Sequence, residues 1–339
     1  MTRLIAPLAF GLVALASATY PLVSRSIERR ERGVSLQQSP LEAGSRPPLN
    51  PAYAPALRQF WGRSSSLTPR VGIQVGHWKH DELPPELVRL RDATGAQSGA
   101  YREVDINLAV ARSLAELLGS AGVATDLLPA TVPPSYLADA VVAIHADGAA
   151  RVTARGWKMS TPWRASAASR MLLDSVAQSY GEITGLPEDR YGITYGMKGY
   201  YAFSPQRVLH AVSPFTPCII VETGFVTVAA DRAVIADRPE LVARAIAVGV
   251  LRFLGARPRA VTPDGRLAYL PPSYPVAVVA AEGSELRAYP SPDERIVRRL
   301  ERGTMVMPMQ LRGDWAEVVV RGNFRSFGWV RRDELGPMG

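Results

Sequence analysis

Three short apolar runs, rich in valine and isoleucine, each end in a polar residue and organise the first two thirds of the chain. The runs occupy residues 71–77, 140–145 and 217–222. Their length and their β-branched residues predict buried strands. Their final residues are His77, His145 and Glu222. Ligands bind at the carboxyl ends of the strands in open α/β sheets, so these three side chains are candidates for a functional site.

A helix is predicted to begin at Glu103 and to run to about Leu118. Ile106, Val110 and Leu114 recur at intervals of four residues and form one apolar stripe. Glu103 lies in the first turn, where an acidic side chain suits the helix dipole. The later predicted elements are a strand over 123–128 and helices over 165–180 and 239–254. Alternating strands and helices predict an α/β fold with a mostly parallel sheet flanked by helices.

The C-terminal region has a different pattern. Short runs with alternating apolar and polar residues, separated by turns, lie at 285–289, 303–306, 315–320 and 328–330. About sixty residues of this kind predict a small all-β barrel. A proline-rich stretch precedes them and indicates a linker. The predicted limits are 70–256 for the α/β domain, 257–274 for the proline-rich linker and 275–336 for the barrel.

Residues 1–24 are predicted to form a signal peptide or a membrane anchor. Residues 4–23 are apolar and uncharged, Arg3 precedes them, and the Ala-Ser-Ala at 16–18 is a small-residue pattern of the kind found at signal-peptidase sites. The length also suits an uncleaved membrane span. Residues 25–69 are rich in serine, proline and arginine and predict a flexible linker. We therefore expect export to the cell envelope, with the protein either secreted or anchored by this segment.

The net charge of +8 does not indicate nucleic-acid binding. Residues 1–70 carry nine arginines and three acidic residues, whereas 71–259 carry nineteen basic and eighteen acidic residues, and 275–336 carry ten and nine. The excess charge lies in the leader and linker, and no basic recognition motif accompanies it. Such a leader favours an anionic membrane or wall surface as its partner. No obligate protein partner is evident. The single cysteine, Cys218, excludes an internal disulfide framework and a cysteine-based zinc cluster.

Two histidines and two carboxylates, each at the end of a strand or the start of a helix, could form a hydrolytic zinc site. Catalytic zinc typically has three protein ligands, and two histidines with one glutamate are an attested set. His77, Glu103 and His145 supply this set, and Glu222 remains as a general base. Taken singly, each residue also fits a structural role as a hydrogen-bonded core histidine, a helix cap or an ion-pair partner. His80 is an alternative ligand, although its position favours it less than His77.

Four short blocks of sequence carry a resemblance to a known family. They are 76–77 (GH), 102–108 (REVDINL), 143–147 (AIHAD) and 221–225 (VETGF). In this order they resemble the zinc-dependent N-acetylmuramoyl-L-alanine amidases of the amidase-3 family, over about residues 70–256.

The resemblance implies a fold, a cofactor and a reaction. The fold is the amidase-3-like, phosphorylase/hydrolase-like α/β fold. The cofactor is a zinc ion bound by His77, Glu103 and His145, with Glu222 as the catalytic carboxylate. The reaction is hydrolysis of the amide bond between N-acetylmuramic acid and the L-alanine of the peptidoglycan stem peptide.

The C-terminal region separately resembles a bacterial SH3-like domain. The blocks that carry this resemblance are 286–292 (LRAYPSP), 314–318 (DWAEV) and 328–330 (GWV). Such domains often accompany wall hydrolases and bind wall peptides or glycans. The resemblance therefore implies peptidoglycan, and its stem peptides, as the partner of the whole chain.

The chain departs from the amidase-3 pattern beside the implied site. Trp78 and Lys79 stand where the family commonly has glycines, and Asp147 stands where it commonly has asparagine. No implied ligand is lost, so the departures concern substrate preference, and we expect Trp78 and Lys79 to lie beside the metal. Tyr200 and Tyr201 are further candidate substrate contacts, because they could stack on sugar rings, although tyrosines in such a segment also pack within their own domain.

Two other functions stay open at the level of sequence. One is a zinc amide hydrolase that acts on another exported substrate. The other is a tethered, non-catalytic wall-binding protein in which the SH3-like domain binds the wall. The presence of all four candidate site residues argues against the second possibility.

Overall fold

The computed structural model describes residues 68–149, 154–256, 268–279, 281–323 and 325–337. All of them belong to a single structural unit that spans residues 38–339. The predicted signal peptide or anchor, and all but the last two residues of the predicted linker over 25–69, lie outside the described residues. The proline-rich linker is described only from residue 268 onward. No helix in the described ranges combines the length and apolar character needed to cross a membrane.

A five-stranded sheet forms the centre of the first domain. Its strands are β1 (Arg70–Val75), β4 (Ala124–Leu128), β5 (Ala140–Asp147), β6 (Lys158–Ser160) and β7 (Cys218–Phe225). Their order in the sheet is β4-β1-β5-β7-β6. The first four strands are parallel, and the edge strand β6 is antiparallel to β7. The predicted mostly parallel sheet is confirmed, and β6 is an additional strand that the sequence pattern did not reveal.

The strand ends differ from the prediction at two positions. β5 and β7 were each expected to stop at a polar residue, but both strands continue, so His145 and Glu222 lie within them. The reason is that β5 and β7 go on pairing with each other beyond the last residue of β1, through a register shift that follows His145. β1 ends at Val75, two residues before His77.

The described residues form five α-helices, and all but the third lie on one face of the sheet. They are α1 (Glu103–Ser120), α2 (Ala167–Thr184), α3 (Tyr195–Lys198), α4 (Ala229–Ile235) and α5 (Pro239–Ala256). Side chains of α1, α2 and α5 share one apolar core with β1, β5 and β7. Gly249 lets α5 approach α2 closely, because a Cβ atom there would lie 2.5 Å from the Cα of Val176. Burial of this face supplies the main favourable term for the fold.

The opposite face of the sheet is covered by shorter elements. Met197 of α3 and Phe203 of the 3-10 helix Tyr201–Phe203 pack there with Val141 and Ile220 of the sheet. The long connection between β1 and α1 is also folded. It contains the 3-10 helices His80–Glu82 and Pro85–Leu90 and the paired strands β2 (Gln97–Ser98) and β3 (Tyr101–Arg102).

The second domain is a seven-stranded antiparallel sheet. Its strands are β8 (Ala277–Val279), β9 (Ser284–Arg287), β10 (Ile296–Leu300), β11 (Met305–Arg312), β12 (Trp315–Val320), β13 (Phe327–Arg331) and β14 (Leu335–Pro337), and a 3-10 helix spans Arg332–Glu334. Their order is β10-β9-β13-β12-β11-β8-β14. Leu286, Val318 and Val330 lie in its separate apolar core. The predicted small all-β domain is confirmed, and we refer to residues 277–337 as the β-domain.

Candidate metal centre and active site

Three side chains that commonly bind metals converge at one end of the parallel sheet. His77 follows β1, Glu103 begins α1, and His145 lies in β5. Glu103 Oε1 is 3.3 Å from His77 Nε2 and 3.0 Å from His145 Nδ1. One ligand atom from each residue lies within 4.8 Å of the other two. Glu103 and His145 are buried and His77 is half-buried. The structure thus brings together the three residues that the sequence predicted as a ligand set.

The backbone after β1 makes this approach possible. A Cβ atom at Gly76 would lie 2.5 Å from the ring of His145, so only glycine leaves room for that ring. The next residue, His77, has a φ of 63°, a left-handed conformation that is uncommon for a residue with a side chain. The Gly76 N–H donates to the carbonyl of Ile144, which fixes this turn against β5. A strained backbone at a cluster of functional side chains is typical of a site rather than of a core.

Hydrogen bonds from the outer nitrogen of each histidine leave the inner nitrogen free to bind a cation. His77 Nδ1 lies 2.5 Å from the carbonyl oxygen of Ala93, which can only accept. His145 Nε2 lies 2.9 Å from the Tyr200 hydroxyl, whose own proton goes to Gln74 Oε1 at 2.9 Å. Each outer nitrogen therefore donates, while the inner nitrogen donates to Glu103 in the metal-free protein and would offer its lone pair to a bound cation. This is the arrangement that orients metal-binding histidines in proteins.

The Glu103 carboxylate is held by three further donors besides the histidines. Its Oε2 accepts the Ala96 N–H at 2.7 Å, and its Oε1 accepts the Ala146 N–H at 3.1 Å and Asn107 Nδ2 at 3.3 Å. Burial acts to raise the pKa of Glu103, but hydrogen bonds and charge interactions with the two histidines outweigh it and hold the pKa far below the ordinary value. Glu103 is therefore ionised at neutral pH. An anionic oxygen and two nitrogen lone pairs fit a divalent cation such as zinc.

Glu222 faces the same end of the sheet from the neighbouring strand. It is the direct partner of His145 in the β5–β7 register. Within the described part of the chain its carboxyl group has no hydrogen-bond partner. Burial raises its pKa well above the ordinary value, and the charges of Glu103 and Asp147 raise it further, while Lys158 opposes them. A carboxyl group with a raised pKa can take up and return a proton near neutral pH.

Lys158 is a site residue that the sequence analysis missed. It begins β6, pairs with Glu222 in the β6–β7 register, and is buried. Its ammonium group forms an ion pair with Asp147 and lies 3.3 Å from Asp189. A buried lysine is rare unless it is paired, and no motif in the sequence indicates this pairing.

A cavity of about 300 Å³ opens at the two histidines. Tyr200, Tyr201, His80, Arg89 and Arg207 contribute to its wall. The arginines were missed, because in sequence they look like ordinary surface residues. Both have guanidinium groups that could meet a carboxylate or a carbonyl of a substrate.

The predicted substrate contacts occupy different places. Tyr200 is buried, and its hydroxyl is part of the hydrogen-bond network of His145. Tyr201 is half-buried and donates to the carbonyl of Ala130 at 2.7 Å. Trp78 packs against the core, and Lys79 pairs with Glu82 at 3.2 Å. Neither Trp78 nor Lys79 lines the cavity at the histidines, so their contact with a substrate stays a prediction.

The other two histidines and the single cysteine lie outside the ligand cluster. His80 lines the cavity, and its Nδ1 is 3.1 Å from the His77 carbonyl oxygen. His210 pairs with Glu86 at 2.6 Å, which is a structural link between two loops. Cys218 is buried, and burial raises the pKa of its thiol, as expected for an unreactive cysteine.

Two supporting residues were detectable in the sequence. Gln74 is a polar residue inside the apolar run of β1, and Asn107 follows Glu103 by four residues on the same face of α1. Both are completely buried, and Asn107 Nδ2 also reaches the carbonyl of Gly76 at 3.3 Å. A polar residue inside an apolar pattern is the signal that points to such a role.

The family model of the N-acetylmuramoyl-L-alanine amidases, Amidase_3, matches residues 71–252. The match covers more than half of the chain and includes His77, Glu103, His145 and Glu222. The chain therefore belongs to this family.

Several solved structures share similarity with the first domain. The amidase Ami1 of Mycobacterium smegmatis has a TM-score of 0.43 and 19% identity, covering 56% of this chain and 97% of that one. The amidase AmiC2 of Nostoc punctiforme has a TM-score of 0.38 and 22% identity, covering 55% of this chain and 97% of that one. The CwlD amidase of Clostridioides difficile, solved in complex with the GerS lipoprotein, has a TM-score of 0.39 and 17% identity, covering 56% of this chain and 99% of that one. No curated protein sequence matches the chain significantly.

Proposed function

We propose that the protein is a zinc-dependent hydrolase that cuts the amide bond between N-acetylmuramic acid and L-alanine in peptidoglycan. The observation that carries this proposal is the cluster of His77, Glu103 and His145 with Glu222 on the adjacent strand. The family match supports the reaction type. The N-terminal apolar segment supports export, so that the enzyme acts in the cell envelope.

His77 Nε2, Glu103 Oε1 and His145 Nδ1 would hold the zinc ion. When bound there, zinc supplies Lewis-acid chemistry, which makes a water molecule more acidic and a carbonyl group more electrophilic. The Ala93 carbonyl and the Tyr200 hydroxyl keep the two imidazoles in the tautomers that bind it. The two backbone N–H groups on Glu103 keep its carboxylate in place.

Glu222 moves the proton in this proposal. Its carboxylate takes a proton from the attacking water, whose oxygen forms the new bond to the carbonyl carbon. The bond from that carbon to the L-alanine nitrogen then breaks, and Glu222 returns the proton to the departing nitrogen. The products are a glycan carboxylic acid and a free stem peptide. General acid–base catalysis of this kind contributes about 10²–10⁴-fold to the rate.

The test uses purified sacculi and the full chain, purified in mild detergent, with Glu222→Gln as the matched variant. The parent protein should bind about one zinc ion per chain and release peptides that start with L-alanine while leaving the glycan strands intact. Glu222→Gln should keep the zinc and lose about 10²–10⁴-fold in the cleavage rate. Products can be identified by mass spectrometry and zinc by elemental analysis.

Three outcomes would contradict the proposal in different ways. Cleavage between amino acids or within the glycan would show another hydrolase. Zinc without any cleavage would favour a different exported amide as the substrate. A protein that binds sacculi but no zinc would favour the non-catalytic wall-binding function.

A further inference from the structure

A second and larger cavity lies between the first domain and the β-domain. Its volume is about 650 Å³, twice that of the cavity at the histidines. Volumes of about 300–1,000 Å³ are typical of ligand sites, which also occur preferentially between domains. Strand β6 and helix α2 line one wall, and β11 and β13 of the β-domain line the other. We call it the interdomain cleft.

Polar contacts join the domains at two places beside this cleft. Lys198 Nζ lies 2.6 Å from Glu317 Oε1, and both side chains are largely buried. Arg190 Nη2 lies 2.5 Å from Glu294 Oε2, and the Tyr191 hydroxyl donates to Glu294 Oε1 at 2.6 Å. The domains are thus held at two places, and the space between them stays open.

Cations outnumber carboxylates in the wall of the cleft. The lining cations are Arg170, Arg190, Lys198, Arg295, Arg312 and Arg325, and the lining carboxylates are Asp174 and Glu317. Arg190 and Lys198 are neutralised by the interdomain pairs. Within the described ranges the other four arginines form no salt bridge. The two domains are each almost neutral overall, so this positive charge is concentrated at the cleft.

The unpaired arginines are placed to receive a ligand. Arg170 is half-buried, with Nη1 2.5 Å from the carbonyl oxygen of Ala165, which fixes part of its guanidinium group. The Arg295 guanidinium lies 4.6 Å from the centre of the Tyr191 ring. Arginine binds carboxylates through two parallel hydrogen bonds, and an ordered guanidinium loses less entropy in doing so.

The rest of the wall suits a peptide. Tyr289 and Trp329 contribute aromatic surface, and Ile193, Met171 and Leu311 contribute apolar surface. A wall that combines apolar and aromatic surface with charged groups suits an organic ligand better than a small inorganic ion.

The cleft is connected to the candidate active site through β6. Lys158, the first residue of β6, pairs with Glu222, and the next two residues, Met159 and Ser160, line the cleft. Successive residues of a strand are about 3.3 Å apart. The cleft therefore begins within about 7 Å, along β6, of the residue that pairs with Glu222.

We propose that the interdomain cleft binds the carboxylate groups of a second peptidoglycan stem peptide, one that is not being cut. The identity of the ligand rests on the proposed function, since peptidoglycan carries many such acidic peptides along one polymer. Engaging a second stem would hold the polymer while the active site cuts the first. The cleft would raise activity on intact sacculi and not on a small soluble substrate.

The binding test uses a synthetic stem peptide with free carboxylates, and isothermal titration calorimetry with the full chain in the Glu222→Gln background. A triple variant, Arg295→Ala, Arg312→Ala and Arg325→Ala, should weaken binding by about tenfold or more, because three charge-assisted contacts are lost. The same peptide with its carboxylates converted to amides should bind the unsubstituted cleft as weakly as the original peptide binds the triple variant.

The matched control removes the same charge elsewhere on the β-domain. Arg298, Arg302 and Arg321 are exposed and do not line the cleft. Replacement of all three by alanine should leave the affinity for the stem peptide within about twofold of the parental value. With an active site restored, the cleft variant should cut a single-stem muropeptide at the parental rate and cut sacculi more slowly.

The outcomes separate this proposal from the proposed function. Equal affinity of the cleft variant and the control variant would overturn the cleft proposal, even if the enzyme cuts sacculi. Competition by inorganic phosphate as strong as that by the peptide would also overturn it and would favour a phosphate polymer. If the parent chain binds the peptide through these arginines but cuts no sacculi, the cleft proposal survives and the proposed function fails.

Discussion

Two glutamates lie at the same site in opposite environments. Glu103 accepts hydrogen bonds from two backbone N–H groups and one side chain and lies against two histidines, which hold its pKa far below the ordinary value. Glu222, on the strand beside His145, has no hydrogen-bond partner among the described residues, and burial raises its pKa. The same side chain thus has three donors and a lowered pKa in one place, and a raised pKa in the other.

The difference follows from which secondary structure carries each residue. Glu103 begins a helix, and its donors come from the folded connection before it, from β5 and from Asn107 one turn further along the helix. Glu222 lies within a strand whose backbone groups are used in the sheet, so only side chains could satisfy it. The position of Glu103 suits the proposed role of a metal ligand, which must be immobile, and that of Glu222 suits the proposed role of a proton carrier, which must not be saturated with donors.

The largest effect is expected from Glu103→Gln. The amide loses the charge that pairs with the histidines, and its NH₂ group faces donors instead of accepting from them. We expect the zinc affinity to fall by more than about 100-fold, since even losses outside the ligand shell cost up to that much. The free energy of unfolding of the metal-free protein should fall by about 2 kcal/mol. Zinc titration and chemical denaturation in a chelator measure both, and unchanged zinc affinity would show that Glu103 is only a helix cap.

A middle effect is expected from Tyr200→Phe. The substitution removes the oxygen that accepts the His145 Nε2 proton, so the imidazole is no longer held in the metal-binding tautomer. Zinc affinity should fall by about 10–100-fold. Tyr201→Phe is the matched control, because its hydroxyl donates to the Ala130 carbonyl and does not reach either histidine at hydrogen-bond distance. Equal losses in both variants would assign the effect to packing.

The smallest effect is expected from Glu222→Gln in the metal-free protein, and it is a gain in stability rather than a loss. A carboxyl group whose pKa is raised by folding stabilises the protein fully only below its unfolded pKa of about 4.3, and this contribution is lost as the pH rises through the folded pKa. Replacement by glutamine should therefore raise the melting temperature at pH 8 and change it little at pH 4.

Glu103→Gln gives the control for that pH dependence. The pKa of Glu103 is lowered by folding, so its contribution to stability is present above the unfolded pKa and is lost only as the pH falls through the folded pKa. Its replacement should lower the melting temperature at pH 8. Melting curves of both variants at the two pH values suffice. A loss of stability at pH 8 in both would show that Glu222 has a stabilising partner after all.

Much of the site was predictable because a few residues break a simple pattern. A histidine or glutamate next to an apolar run is visible in the sequence, and it predicted His77, His145 and Glu222. The strand limits at His145 and Glu222 were wrong, because the end of a strand depends on whether its neighbour continues to pair, and here β5 and β7 continue together. Lys158 was missed for a similar reason, since its carboxylate partners are distant in the chain.

The sequence by itself determined the elements and the chemistry available to them. The spacing of the apolar residues predicted α1, α5 and the parallel strands, and the change to short alternating runs predicted the β-domain. This works because the side chains that face the core recur about every 3.6 residues in a helix and every two residues in a strand. Only the tertiary structure decided which nitrogen of each histidine faces Glu103, which of the two glutamates has a lowered pKa and which a raised one, and that four arginines without a salt bridge to any described residue share one cleft. Those properties depend on distances of a few ångströms between residues that are far apart in the chain, and no local pattern records them.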